Sequence, residues 1–285
     1  MRCISPLTIR DPSNFGSLLT VPCGKCGMCK ANRRTEWSFR ILKEFESKST
    51  RSATFVTLTY DQEHLPMKNG TPSLCKRDWQ LFMKKLRKRT NGKIRYYTVG
   101  EYGTRTNRPH YHSIIFNLGN NPHTHILPSW TDSNKIALGN IYCGTVSHAS
   151  IHYVTKYHVN YRTKKEWEDL GMVNEPEFAV MSRNPGIGAD YLMKNQKWFK
   201  QNGNLFVLNN GYKQRMPRYY KDKVFNRVQK DVIGLKAIAE ADKRYLEEIR
   251  TLEKYGYENP ETEYQVRAYF HAKKVQEKAN KRDSF

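Results

Sequence analysis

The phrase Arg108-Pro-His-Tyr-His-Ser-Ile-Ile-Phe116 constrains this chain more than any other stretch of it. An apolar, β-branched run directly after the histidines reads as a strand, where successive side chains point to opposite faces. His110 and His112 therefore project together, with Tyr111 on the reverse. Upstream, Asn91-Gly92 is a turn and Lys93 to Glu101 reads as the preceding strand, with Tyr97, Val99 and Glu101 on one face. The loop Tyr102 to Pro109 returns the chain, so an antiparallel hairpin places Glu101 near His110. Two imidazoles and a carboxylate with open coordination sites suit Mn²⁺ or Mg²⁺, ions that also bind phosphate oxygens. Zinc fits the same ligands. The plainer alternatives are a solvated His-x-His face and a Glu101 carboxylate paired with Arg105 or Arg108.

A second motif follows about forty residues on (an order-of-magnitude spacing, as element boundaries are soft): Tyr153-Val-Thr-Lys156-Tyr157. His148 to Arg162 lacks Gly and Pro and follows Ser147, a suitable helix N-cap. On a helix, Tyr153, Lys156, Tyr157 and Asn160 share a stripe, while Ile151, Val154, Thr155 and His158 fall on the other side. The tyrosines thus lie off the more apolar face. Two phenols one turn apart beside an ammonium suit covalent phosphoryl transfer, with a phenolate as nucleophile and the lysine steadying it or the phosphate. An aromatic stripe packed in the interior is the competing reading. The histidine strand tips the balance towards chemistry.

The formal charge of +22, from 49 basic and 27 acidic residues, calls for a polyanionic counterpart, and nucleic acid is the obvious one. Aromatics at 12%, with 18 tyrosines, fit a binder that stacks single-strand bases between cations. No long apolar stretch, signal peptide or lipidation pattern is visible, which speaks against a membrane partner. Cys23, Cys26 and Cys29 recur with two residues between each, and Cys3 is a fourth candidate. In a reducing compartment such a cluster reads as a structural Zn²⁺ site or a set of reduced thiols. Iron–sulfur ligation has similar spacing but lacks its usual final Cys-Pro. Cys75 and Cys143 stand isolated.

Further along, a helix is expected from about Arg34 to Lys48, and Thr54 to Tyr60 alternates as a strand with Phe55, Thr57 and Thr59 on one face. A helix starting near Asp78 buries Trp79, Phe82, Met83 and Leu86 and turns a basic ridge outward: Lys84, Lys85, Arg87, Lys88 and Arg89. With Arg105 and Arg108, this ridge (Lys84, Lys85 and Lys88 above all) supplies the expected DNA contacts. A third strand falls in Lys135 to Val146, His123 and His125 read as loop residues, and Asn184 to Ala189 reads as a turn or a backbone approach to phosphate. Two polar helices, Val228 to Glu253 and Glu263 to Lys281, close the chain. The fold class is α+β: a central antiparallel sheet of about five strands with flanking helices, plus C-terminal helices. The expected organisation is a domain over 1–225 that includes the cysteine loop, and a basic helical extension over 226–285.

At the histidine and tyrosine motifs the chain resembles the HUH endonucleases, and among them the rolling-circle replication initiators of small single-stranded DNA bacteriophages, the gokushovirus branch of the microviruses in particular. Four more phrases carry the resemblance: Val21-Pro-Cys-Gly-Lys-Cys-Gly-Met-Cys29, Phe55-Val-Thr-Leu-Thr-Tyr-Asp61, Gly100-Glu-Tyr-Gly103 and Asn184-Pro-Gly-Ile-Gly-Ala-Asp-Tyr191. The resemblance implies a ferredoxin-like sheet and a metal on Glu101, His110 and His112. It implies attack by Tyr153 or Tyr157 on origin DNA, leaving a 5′-phosphotyrosine link and a free 3′-hydroxyl. It also implies host helicase and polymerase as partners, in the host bacterial cytoplasm. The competing classes are a basic protein that coats or packages DNA without catalysis, and a relaxase or transposase of the same superfamily.

Overall fold

The computed structural model describes residues 3–11, 16–50, 52–90, 92–157 and 164–280. An exposed hairpin, β1 (Leu7–Arg10) and β2 (Leu18–Val21), leads into helix α1 (Gly27–Phe45). Then come β3 (Ala53–Thr59), a short ribbon of β4 (Met67–Lys68) and β5 (Thr71–Pro72), helix α2 (Lys76–Arg89), and the hairpin β6 (Arg95–Tyr102) and β7 (Pro109–Phe116). A short helix α3 (Pro122–Ile126), β8 (Ile141–Thr145), α4 (His148–Tyr157), α5 (Lys164–Glu168) and β9 (Phe178–Met181) follow. The remainder is α6 (Ala189–Asn202), the hairpin β10 (Phe206–Asn209) and β11 (Tyr212–Arg215), then α7 (Arg218–Val224), α8 (Arg227–Lys254) and α9 (Pro260–Asn280). The chain forms two compact units: Trp37–Met193, and Met1–Glu36 together with Lys194–Phe285.

The first unit is built on a five-stranded sheet in the order β8-β3-β7-β6-β9, with every neighbouring pair antiparallel. Strand alternation gives its two faces different cores. On one face Val56, Leu58, Tyr60, Tyr111 and Ile115 meet Trp79, Phe82, Met83 and Leu86 of α2. On the other, Tyr97, Val99, Ile114 and Phe116 meet Ile41 and Leu42 of α1 and Ile151 and Val154 of α4. Each such side chain stabilises the fold by roughly 1.5–3 kcal/mol when taken fully out of water. The α+β class, the five antiparallel strands, the flanking helices and the C-terminal helices all match the expectation.

Local differences have local causes. Helix α1 begins at Gly27, earlier than Arg34, so it starts inside the cysteine loop. The third strand is confined to Ile141–Thr145 because Asp132 Oδ1 accepts from the amides of Asn134 and Ile136, making a turn in which Lys135 takes a positive φ of 68°. His123 and His125 lie on α3 and not in a loop, since Pro122 favours a helical first turn. In the second unit α8 opens with a reciprocal cap between Asn226 and Gln229. Tyr245 of α8 meets Tyr264 of α9 edge-on at 4.9 Å. Among the described residues no helix is long and apolar enough to cross a membrane.

Candidate active site

The site grows out of strand register. Across β6 and β7, Glu101 pairs with His110 and Val99 with His112; across β3 and β7, Thr57 pairs with His112 and Thr59 with His110. Glu101, His110 and His112 therefore share the face covered by α1 and α4. Glu101 Oε1 lies 2.8 Å from His110 Nε2 and 3.0 Å from His112 Nε2. The other ring nitrogens are held from behind: His110 Nδ1 is 3.1 Å from the Arg108 carbonyl, and His112 Nδ1 is 2.9 Å from Thr57 Oγ1. With both Nδ1 atoms engaged, both Nε2 atoms converge on the carboxylate. The glycine before Glu101 has a packing reason, since a Cβ at Gly100 would meet Leu74 Cδ2 at 3.0 Å and Phe178 Cζ at 3.1 Å.

The three ligand atoms lie within 4.8 Å of one another, a spacing that one divalent ion can span. Glu101 is 3% exposed, and its Oε2 has no hydrogen-bond partner among the described residues. A buried carboxylate oxygen left unpaired is costly, and a cation is the group that relieves it. The donor set, two imidazoles and a carboxylate, fits such an ion. Burial pushes the Glu101 carboxyl upward, but hydrogen bonds from His110 and His112 outweigh it and hold the carboxyl below the usual range. Burial also opposes charge on His110, yet the Glu101 carboxylate raises that imidazole above its ordinary value. In His112 burial wins and the ring is driven towards the neutral form, which is the form that ligates metals.

Helix α4 brings the nucleophile candidate. Tyr153 Oη is 3.2 Å from His112 Nε2, and its ring stands edge-on to His112 at 5.0 Å and to Phe55 at 6.1 Å. The helix is fixed at its start by reciprocal bonds between Ser147 and Ser150, and to α1 by Thr155 Oγ1 against Ser38 Oγ at 2.8 Å, a buried contact. Ile151 and Val154 are buried while Tyr153 is half-buried, so the stripe lies off the main apolar face. Lys156 is buried. The Tyr157 side chain lies outside the described residues, as do His158, Asn160 and Arg162.

Residues 53–164, which hold all of these groups, match the family model for the replication-associated protein ORF2 group. Replication-associated protein ORF2 of Spiroplasma virus 4 is 32% identical over 237 residues, 78% of this chain and 72% of the relative. The chain belongs to the replication-associated protein family. Replication-associated protein VP4 of Bdellovibrio phage phiMH2K is 31% identical over 229 residues, 70% of this chain and 66% of the relative. Replication-associated protein ORF4 of Chlamydia phage 1 is 25% identical over 229 residues, 74% of this chain and 55% of the relative. No solved structure matches the chain.

The expected cationic residues are placed unevenly in this family member. Lys84 and Lys88 are exposed on α2, whose packing surface is the sheet face opposite the histidines. Lys85 sits on the same helix but donates to the carbonyls of Thr131 and Asp132 at 2.6 and 2.9 Å, which ties its ammonium to the protein. Arg108 likewise donates to Gln62 Oε1 and to the carbonyls of Tyr60 and Asp61, bracing the loop that turns into β7. Arg105 is exposed in that loop. Cys3, Cys23, Cys26 and Cys29 converge in the other unit. The Asn184 to Ala189 stretch is held structurally: the Arg95 guanidinium donates to the carbonyls of Pro185 and Gly186, and Gly188 N–H donates to Glu44 Oε2 at 2.7 Å. Thr57 was missed as a partner of His112. Its face was legible from alternation, but its neighbour required the pairing of β3 with β7.

Proposed function

We propose that this chain is a metal-assisted nickase that opens single-stranded DNA at a replication origin through a tyrosine, initiating rolling-circle replication. The observation that supports it most is the Tyr153 hydroxyl 3.2 Å from a ring nitrogen of the Glu101, His110 and His112 group. Tyr153 Oη attacks the phosphorus, forming a P–O bond to the phenol and breaking the P–O3′ bond. The phenol gives up its proton, and the departing 3′ oxygen gains one to become a hydroxyl that a polymerase can extend. An Mn²⁺ or Mg²⁺ ion held by Glu101, His110 and His112 supplies Lewis-acid stabilisation to the phosphate and leaving oxygen. Thr57 holds His112 in the ring orientation that presents Nε2 to the site, and the Arg108 carbonyl does the same for His110. Lys156, three residues after Tyr153, is assigned to steadying negative charge on phenolate or phosphate. Tyr157, one helical turn after Tyr153, is the second nucleophile; the phosphotyrosine link conserves the bond energy, so one tyrosine cuts as the other's strand is rejoined.

The remaining positive charge, including Lys84, Lys88 and Arg105, is assigned to the DNA backbone, and host helicase and polymerase are the partners such a product requires. The test is to incubate the protein with an end-labelled origin oligonucleotide and Mn²⁺. A detergent-resistant protein–DNA adduct and a free 3′-hydroxyl fragment are expected, both abolished by chelation. Tight binding with no cleavage under any divalent ion would favour the non-catalytic coating protein instead.

A further inference from the structure

Four cysteines far from one another in sequence meet at the start of α1. Cys3 Sγ lies 3.5 Å from Cys23 Sγ and 3.8 Å from Cys26 Sγ, and Cys23 Sγ lies 4.0 Å from Cys29 Sγ. All four sulfurs fall within 4.8 Å of one another, and none is in a disulfide. A tetrahedral zinc with Zn–S bonds of about 2.3 Å sets its sulfurs about 3.8 Å apart, which is the spacing found. A multi-iron cluster places several irons and bridging sulfides between its cysteines and needs them wider apart.

The surroundings favour thiolates. Cys23 N–H donates to Cys3 Sγ, and Cys26 N–H donates to Cys23 Sγ, each at 3.3 Å. Gly24 turns the knuckle with a φ of +75°, a conformation that costs other residues energy, and the Arg33 guanidinium lies 3.6 Å from where its Cβ would be. Cys26 and Cys29 flank the first turn of α1, which carries no acidic residue, so the helix dipole and Arg33 both offset a doubly negative tetrathiolate. The β1–β2 hairpin that brings Cys3 back to Cys23 has no core of its own: Leu7, Ile9, Leu18 and Leu19 are all exposed.

We infer that Cys3, Cys23, Cys26 and Cys29 bind one structural zinc ion that closes the N-terminal hairpin onto the first turn of α1. Each thiol loses its proton on binding, and the metal–sulfur bonds do for this segment what apolar burial does for the sheet. The site is distinct in ligands from the Glu101 group and stands or falls without it.

The full chain, purified without chelators, should carry one zinc per molecule by elemental analysis. Cys75→Ser with Cys143→Ser should keep it, and Cys26→Ser should lose it. Because Cys26→Ser can misfold, the intact chain is also exchanged with Co²⁺. Thiolate-to-cobalt charge-transfer absorption and tetrahedral cobalt bands are expected, and imidazole and carboxylate ligands do not give the former. Iron in place of zinc, a cobalt protein without thiolate bands, or a metal-free native chain whose four thiols react freely with an alkylating agent would each overturn the proposal.

Discussion

The two faces of the sheet use the same strands for opposite purposes, and β7 shows it residue by residue. Tyr111 points into the α2 face, where it is fully buried; its hydroxyl donates to the Cys75 carbonyl, accepts from Cys75 N–H and meets the Tyr60 hydroxyl at 2.9 Å. Its neighbours His110 and His112 point to the α1/α4 face, where Glu101 Oε2 is buried without a partner among the described residues. One face satisfies its polar atoms and holds the fold. The other leaves a carboxylate wanting a cation and places a phenol beside it. Such a local breach of the rule that buried polar atoms are paired is where function is expected.

The largest effect should come from the site face. Replacing Tyr153 and Tyr157 together by Phe should remove the covalent adduct completely while leaving DNA affinity and thermal unfolding close to the parent. Glu101→Gln or His112→Ala should lower Mn²⁺-dependent cleavage by on the order of 10³ or more, since several kcal/mol of charge stabilisation is lost and each ~1.4 kcal/mol is tenfold. Single-turnover cleavage assays check both. On the α2 face the outcome should invert: Tyr111→Ala should cost about 3–5 kcal/mol of stability, measured by denaturant unfolding, and cut activity only through loss of folded protein. If Glu101→Gln destabilised the metal-free chain as much as Tyr111→Ala, the division between the faces would be wrong.

Thr57→Val is a finer probe. Losing the support of His112 Nδ1 should weaken metal binding 10–100-fold, as is usual for partners of ligating histidines, and Thr57→Ser should restore it. Equal losses in the Val and Ser variants would show that Thr57 acts through packing alone. The smallest effect should come from Lys84→Gln with Lys88→Gln on α2. Affinity for origin and random oligonucleotides should fall together, with the salt slope shallower by about 0.7 for each phosphate no longer neutralised, and cleavage at saturating DNA should not change. Loss confined to origin DNA would show that this helix reads bases.

Much of this geometry was legible in the chain because it is local. Period-two alternation alone puts His110 and His112 on one face, and a short hairpin alone brings Glu101 opposite His110. Helical spacing orients α4 so that Ile151 and Val154 pack while Tyr153 does not. What stayed hidden depends on distant pairing. Thr57 meets His112 across 55 residues of sequence, and Lys85 is drawn onto the Thr131 carbonyl, which no helical wheel of α2 foretells. Arg108 looked like a phosphate ligand because its role as a brace for Tyr60 and Asp61 depends on where β3 ends. Glu101 pairs with the histidines and not with Arg105 or Arg108 because register places the imidazoles directly opposite.

The central claim is that the α4 tyrosine beside His112 makes the bond to DNA. The direct measurement is tandem mass spectrometry of the protease-digested adduct formed with an origin oligonucleotide and Mn²⁺. A nucleotide is expected on the α4 peptide, on Tyr153 when Tyr157 is replaced by Phe. A nucleotide carried instead by a tyrosine outside α4, such as the exposed Tyr142, or cleavage with no peptide-bound nucleotide at all, would contradict it.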